Sequence, residues 1–216
     1  MPGTELLQMT STHTGRDYDL YISNPGGRKD GTLYPVIYVL DGQWFFKTVD
    51  SIWAAMLYDR FLPAAIIVGI TYSGQAPGYG ELRMLDMTPT PVAWAPDGSG
   101  EAAKFLAAIE YEILPLVESR YPVDPARRTL TGCSLGGLFT LYALFERPDL
   151  FASYIASSPA IDFEGEALFE LEARLAENRT ALPVRLHMFI GGLEYPPWLQ
   201  ASPDGVDAEE AQSRGV

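Results

Sequence analysis

The chain has 216 residues, of which 47% are hydrophobic and 20% charged, the proportions of a folded globular protein with one sizeable core. Its 28 acidic and 15 basic residues leave a formal charge of −13, a surface that repels nucleic acid and anionic lipid and argues against both as partners. One cysteine, Cys133, and two histidines, His13 and His187, exclude an internal disulfide and offer no donor set for a metal.

No apolar run reaches the ~18–20 residues of a membrane span, and MPGTELLQMTSTH lacks the basic start and apolar stretch of a signal peptide, so a cytoplasmic protein is expected. Glu5 to Thr12 and Tyr18 to Ser23 read as two strands joined by a turn at Gly15. Leu33 to Leu40 (LYPVIYVL) is a nearly continuous apolar run, expected of a strand covered on both faces, and it ends at Asp41-Gly42. A helix from about Trp44 to Tyr58 and a second buried strand, Ala64 to Thr71, follow. Residues 73–98 hold four prolines and little periodicity, and read as a long loop at the rim of a site.

From Ser99 to Tyr121 the residues Phe105, Leu106, Ile109, Ile113, Leu114 and Val117 share one helical face, with Pro115 expected to kink the helix or end it early. A short strand, Thr129 to Cys133, leads to a Gly-flanked serine and a helix to about Glu146. Phe151 to Ser157 reads as a strand, Glu164 to Glu177 as an amphipathic helix, and Val184 to Ile190 as a last strand with alternating faces. Alternation of strand and helix predicts an α/β fold with a mostly parallel sheet. The domain is placed at residues 1–195, with 196–216 as an irregular tail.

Gly132-Cys133-Ser134-Leu135-Gly136 fits G-x-S-x-G, and its placement after a strand and before a helix is what a nucleophile elbow requires. Such a turn holds its serine in strained backbone geometry, and only small residues fit on either side. Ser134 is therefore the candidate nucleophile, and the Leu135 N–H, at the positive end of the new helix, the candidate oxyanion donor. Cys133 reads as a buried, inert thiol. A second donor is expected from the loop after the third strand, the N–H of Gly42 or Gln43; an ordinary strand-end turn is the equal alternative. Trp44, Phe45 and Phe46 read as core.

Ser99 to Ile161, above all RRTLTGCSLGGLFTLYALFERPDLFASYIASSPAI, resembles the putative-esterase branch of the α/β-hydrolases, which includes enterobactin, bacillibactin, esterase-D-like and feruloyl esterases. TGRDYDLYISNP, YPVIYVLDG and LRMLDMTPT match the same branch, so the resemblance spans about residues 10–195. It implies an α/β-hydrolase fold, a twisted, mostly parallel sheet with helices on both faces, and hydrolysis of small, siderophore-like carboxylic esters through an acyl-enzyme on Ser134, with no cofactor. In the chain order Ser, acid, His, Glu194 stands where the acid belongs, with a solvated loop carboxylate as the alternative. The eighth strand and its histidine are not found, which suggests a chain truncated before that strand. His187, in the middle of a strand, and His13, in the opening hairpin, are not expected to replace it. The competing expectations are a non-catalytic ligand-binding relative and an inactive truncation product.

Overall fold

The apolar runs form the middle of one sheet. The computed structural model describes residues 4–25, 31–74, 78–163, 167–192 and 194. Its strands are β1 (Thr4–Thr10), β2 (Asp17–Ser23), β3 (Tyr34–Val39), β4 (Ile66–Tyr72), β5 (Val123–Cys133), β6 (Ser153–Ser157) and β7 (Arg185–Phe189), in the order β1-β2-β4-β3-β5-β6-β7. β1 and β2 pair antiparallel, as do β2 and β4; from β4 to β7 every pairing is parallel. All seven residues of β4 are buried, because helices cover the sheet on both sides.

Helix α1 (Gly42–Tyr58) lies on one face, with Phe46 packed over Ile37, Val39, Ala65 and Ile67. The other face carries α2 (Tyr79–Met87), α3 (Ala102–Ala108), α4 (Leu114–Arg120), α5 (Leu135–Glu146) and α6 (Ala167–Asn178). Their side chains join Tyr38, Val68, Leu130 and Tyr154 in the larger core. The arrangement agrees with the expected α/β class.

Two expectations need correction, and the last strand forms as expected. Pro115 does not end its helix. A π turn, Ile109–Ile113, stands immediately before it and links α3 to α4, so the wider turn accommodates the missing N–H. The segment 73–98 is not a plain loop, since α2 occupies Tyr79–Met87. The last strand forms, but its alternation does not become burial. Every residue of β7 is exposed, because among the described residues β7 is the sheet edge and α1 covers only the β3–β4 side of its face.

Candidate active site

Ser134 stands between β5 and α5 with φ 57° and ψ −119°, and it is exposed. An L-residue in this region is strained and stays there only when its surroundings over-determine it. They do so here. Ser134 N donates to Ser157 O at 3.0 Å, and its carbonyl accepts from Leu138 N at 2.9 Å and from Ala160 N at 3.2 Å. The glycines are explained by contact. A Cβ on Gly132 would stand 2.2 Å from the Gly136 carbonyl oxygen, and one on Gly137 would stand 2.9 Å from both Pro159 Cα and Ser157 O. No side chain fits between strand and helix at this bend. Cys133, expected to be buried, is half-buried and lines a cavity of about 150 Å³ with Val39, Phe45, Val49 and Ser157.

The neighbouring strand brings a second turn to the same place. β3 and β5 run parallel with Val39 opposite Thr131, and Leu40 N donates to Thr131 O at 2.9 Å. Past the strand ends the two turns stay close: a Cβ on Gly136 would stand 3.1 Å from Asp41 Oδ2 and 3.5 Å from Leu40 Cβ. Asp41, at the N-cap of α1, adopts φ 52° and ψ 46°, in the left-handed region. Gly42 needs no side chain, because a Cβ would stand 2.8 Å from the carbonyl carbon of Gly69. The Gln43 side chain is held by Thr71, whose hydroxyl donates to Oε1 at 2.6 Å. Gly42 and Gln43 open α1 and Leu135 opens α5, so their N–H groups have no acceptor within their own helices. Two helix N-termini thus converge on the serine.

Beneath these turns lies an ion pair that the sequence did not point to. Arg83 of α2 grips the Asp41 carboxylate with both ends of its fork, Nε to Oδ1 at 3.0 Å and Nη2 to Oδ2 at 2.8 Å. Burial pushes the Asp41 carboxyl up, and the Arg83 hydrogen bonds and charge oppose that shift. Trp44 is not core: 51% exposed, it covers the Arg83 guanidinium at 5.3 Å from ring centroid to Cζ.

Glu194 reaches the same edge of the sheet. Its Oε1 accepts from Ser158 Oγ at 2.5 Å and from Gly191 N at 2.9 Å. Ser158 follows β6, with φ 40°, and its N–H donates to Phe189 O at 2.7 Å. Neither histidine adjoins Ser134. His187 pairs with Ile155, two strands across from β5 and three residues short of the serine's level, ~14 Å away by strand spacing and rise. His13, in the turn between β1 and β2, lies tilted against Tyr111 with ring centroids 5.8 Å apart, and β1 and β2 stand four and three strand positions from β5.

A family model described as putative esterase matches residues 11–212. The chain belongs to that family. It is 38% identical over 177 residues to the ferri-bacillibactin esterase BesA of Bacillus subtilis (strain 168), covering 74% of this chain and 60% of that protein. To the siderophore triacetylfusarinine C esterase of Aspergillus fumigatus it is 44% identical over 169 residues, covering 74% and 57%. The chain therefore spans 60% and 57% of the length of these two relatives. The siderophore hydrolase EstB from Aspergillus nidulans superposes with a TM-score of 0.80 at 30% identity, over 99% of this chain and 77% of that one. The fold is that of the α/β-hydrolase esterases. Among the described residues no group of three or more His, Cys, Asp or Glu side chains could hold a metal, and no helix is long and apolar enough to cross a membrane.

Proposed function

We propose that the chain is a serine esterase that cleaves small carboxylic esters of the siderophore type through an acyl-enzyme on Ser134. The observation that carries this reading is the exposed hydroxyl of Ser134 on its strained bend, beside two turns whose first N–H groups have no acceptor within their own helices. In the reaction, Ser134 Oγ adds to the ester carbonyl carbon and the carbonyl oxygen becomes an oxyanion. The Leu135 N–H and the N–H of Gly42 or Gln43 receive that charge, a contribution of about 10²–10³ in rate for one such donor. Collapse breaks the bond to the alcohol, which leaves carrying the proton given up by the serine through solvent or buffer base, and water then splits the acyl-enzyme, releasing the acid and restoring the serine hydroxyl. Glu194 serves as the acid that orients an imidazole, held ready by Ser158 and Gly191. The siderophore-type substrate is suggested by the esters named for the two relatives.

The serine proton has no imidazole to receive it among the described residues, and a serine without a base is a weak nucleophile. Free imidazole in the buffer is therefore expected to accelerate acylation of Ser134. The test is intact-mass detection of fluorophosphonate labelling, together with p-nitrophenolate release from p-nitrophenyl acetate in excess of the protein-free buffer, with and without imidazole. One probe per chain, enhanced by imidazole and lost in Ser134→Ala, supports the reading. No labelling and no hydrolysis in either buffer would leave a ligand-binding relative without chemistry.

A further inference from the structure

Arg83 is the cation on the buried Asp41 carboxylate beside the proposed site, yet the reaction as described does not use it. Asp41 is 1% exposed, and an unpaired buried carboxylate would either protonate or rotate toward water. The same residue carries the left-handed turn that sets the direction of the next two peptide groups, Gly42 and Gln43. A non-glycine residue holds that conformation only under constraint, and here the constraint has identifiable parts. Arg83 binds both carboxylate oxygens. On the other side, Asp41 Oδ2 lies against the first turn of α5, 3.1 Å from where a Cβ on Gly136 would stand. The carboxylate is thus wedged between α2 and the nucleophile helix, and Trp44, two residues beyond Gly42, covers the guanidinium from outside.

We infer that Arg83 is a positioning residue: by clamping Asp41 in its left-handed turn against α5, it aims the Gly42 and Gln43 N–H groups at the oxygen that develops on Ser134. This rests on the reading of Ser134 as nucleophile and deepens it. A planar fork is needed because two oxygens must be held at once, and an ammonium, a point charge, holds one. Arg83 does not have to touch the substrate.

The test uses the full chain and three variants, Arg83→Met, Arg83→Lys and the charge-neutral pair Asp41→Asn/Arg83→Met. Phenylboronic acid, which forms a tetrahedral adduct on a serine hydroxyl, is titrated while the amide signals of Gly42, Gln43 and Leu135 are followed by NMR. In the parent all three are expected to shift. In Arg83→Met the Leu135 shift should persist, while those of Gly42 and Gln43 fall at least several-fold, and labelling by the fluorophosphonate slows ~10²-fold, the usual loss of one oxyanion donor. Arg83→Lys should recover only part of that rate. The neutral pair should regain melting temperature without regaining labelling, whereas a merely structural ion pair would return both together. Equal shifts at all three amides in Arg83→Met, or labelling that tracks melting temperature throughout, would overturn the inference. Absence of any shift in the parent would count against Ser134 as nucleophile instead. The clamp is then decided without ligand by crystal structures of parent and Arg83→Met, since Asp41 remaining near its φ of 52° in the variant refutes it.

Discussion

Asp86, on the inner side of α2, has no exposed surface; Tyr18 donates to its Oδ2 at 2.6 Å, and Arg16 Nη1 lies 3.1 Å from Oδ1, a charge contact without hydrogen-bond alignment. Burial pushes its carboxyl up from 3.8 to about 6, against the pull of Arg16 and Tyr18. The folded chain therefore takes up a proton at Asp86 at higher pH than the unfolded chain does. Between pH 3.8 and about 6 the native state binds more protons, so this group's contribution to stability falls as pH rises through that window. At ~1.4 kcal/mol per pH unit for one proton, the interval amounts to ~3 kcal/mol. Asp86→Asn keeps an acceptor for Tyr18 and leaves Arg16 its second partner, Glu101, but removes the titration. Urea unfolding of both chains at pH 4, 5, 6 and 7 should show the variant gaining ~2.4 kcal/mol on the parent across the series, the part of the interval that lies above pH 4. Parallel curves, or a variant that loses ground as pH rises, would mean that Arg16 outweighs burial and would refute the reasoning.

Gly132→Ala should destabilise by ~3 kcal/mol or more, because its Cβ would meet the backbone oxygen of Gly136 at 2.2 Å and no flexible side chain can yield; a melting temperature within ~2 °C of the parent would contradict the tightness of the bend. Met188 on β7 is 58% exposed, whereas Tyr154, on the adjoining strand, has no exposed surface. Met188→Lys is accordingly expected to alter stability by less than ~0.5 kcal/mol and Tyr154→Ala to cost ~3–5 kcal/mol, both read by chemical denaturation. Comparable losses from the two would mean that something covers the edge strand.

How far the sequence reveals the molecule depends on what each segment buries. β3 and β4 are legible because both of their faces meet hydrocarbon, and LYPVIYVL and AAIIVGIT report that directly. The bend at Ser134 is legible because its glycines answer to contacts that no other residue survives. α2 was missed because it turns Arg83 and Asp86 inward, so its buried side carries charge and the apolar 3.6-residue period never appears. The Asp41–Arg83 pair was missed for the same reason: 42 positions separate its members, and no local pattern joins them. The sequence signal of such a pair is a strand-end Asp followed by a glycine, with an arginine in the segment after the next strand. β7 shows the converse. Its alternation is genuine strand chemistry, but burial needs a partner surface, and the described residues supply none on its outer side.

The most direct measurement is a crystal structure of the chain after reaction with a small fluorophosphonate. The phosphorus is expected on Ser134 Oγ, with its non-bridging oxygen within ~3 Å of the Leu135 nitrogen and of the nitrogen of Gly42 or Gln43. Phosphorus bound elsewhere, or an oxygen turned away from both helix N-termini, would contradict the assignment of this bend as the reacting centre.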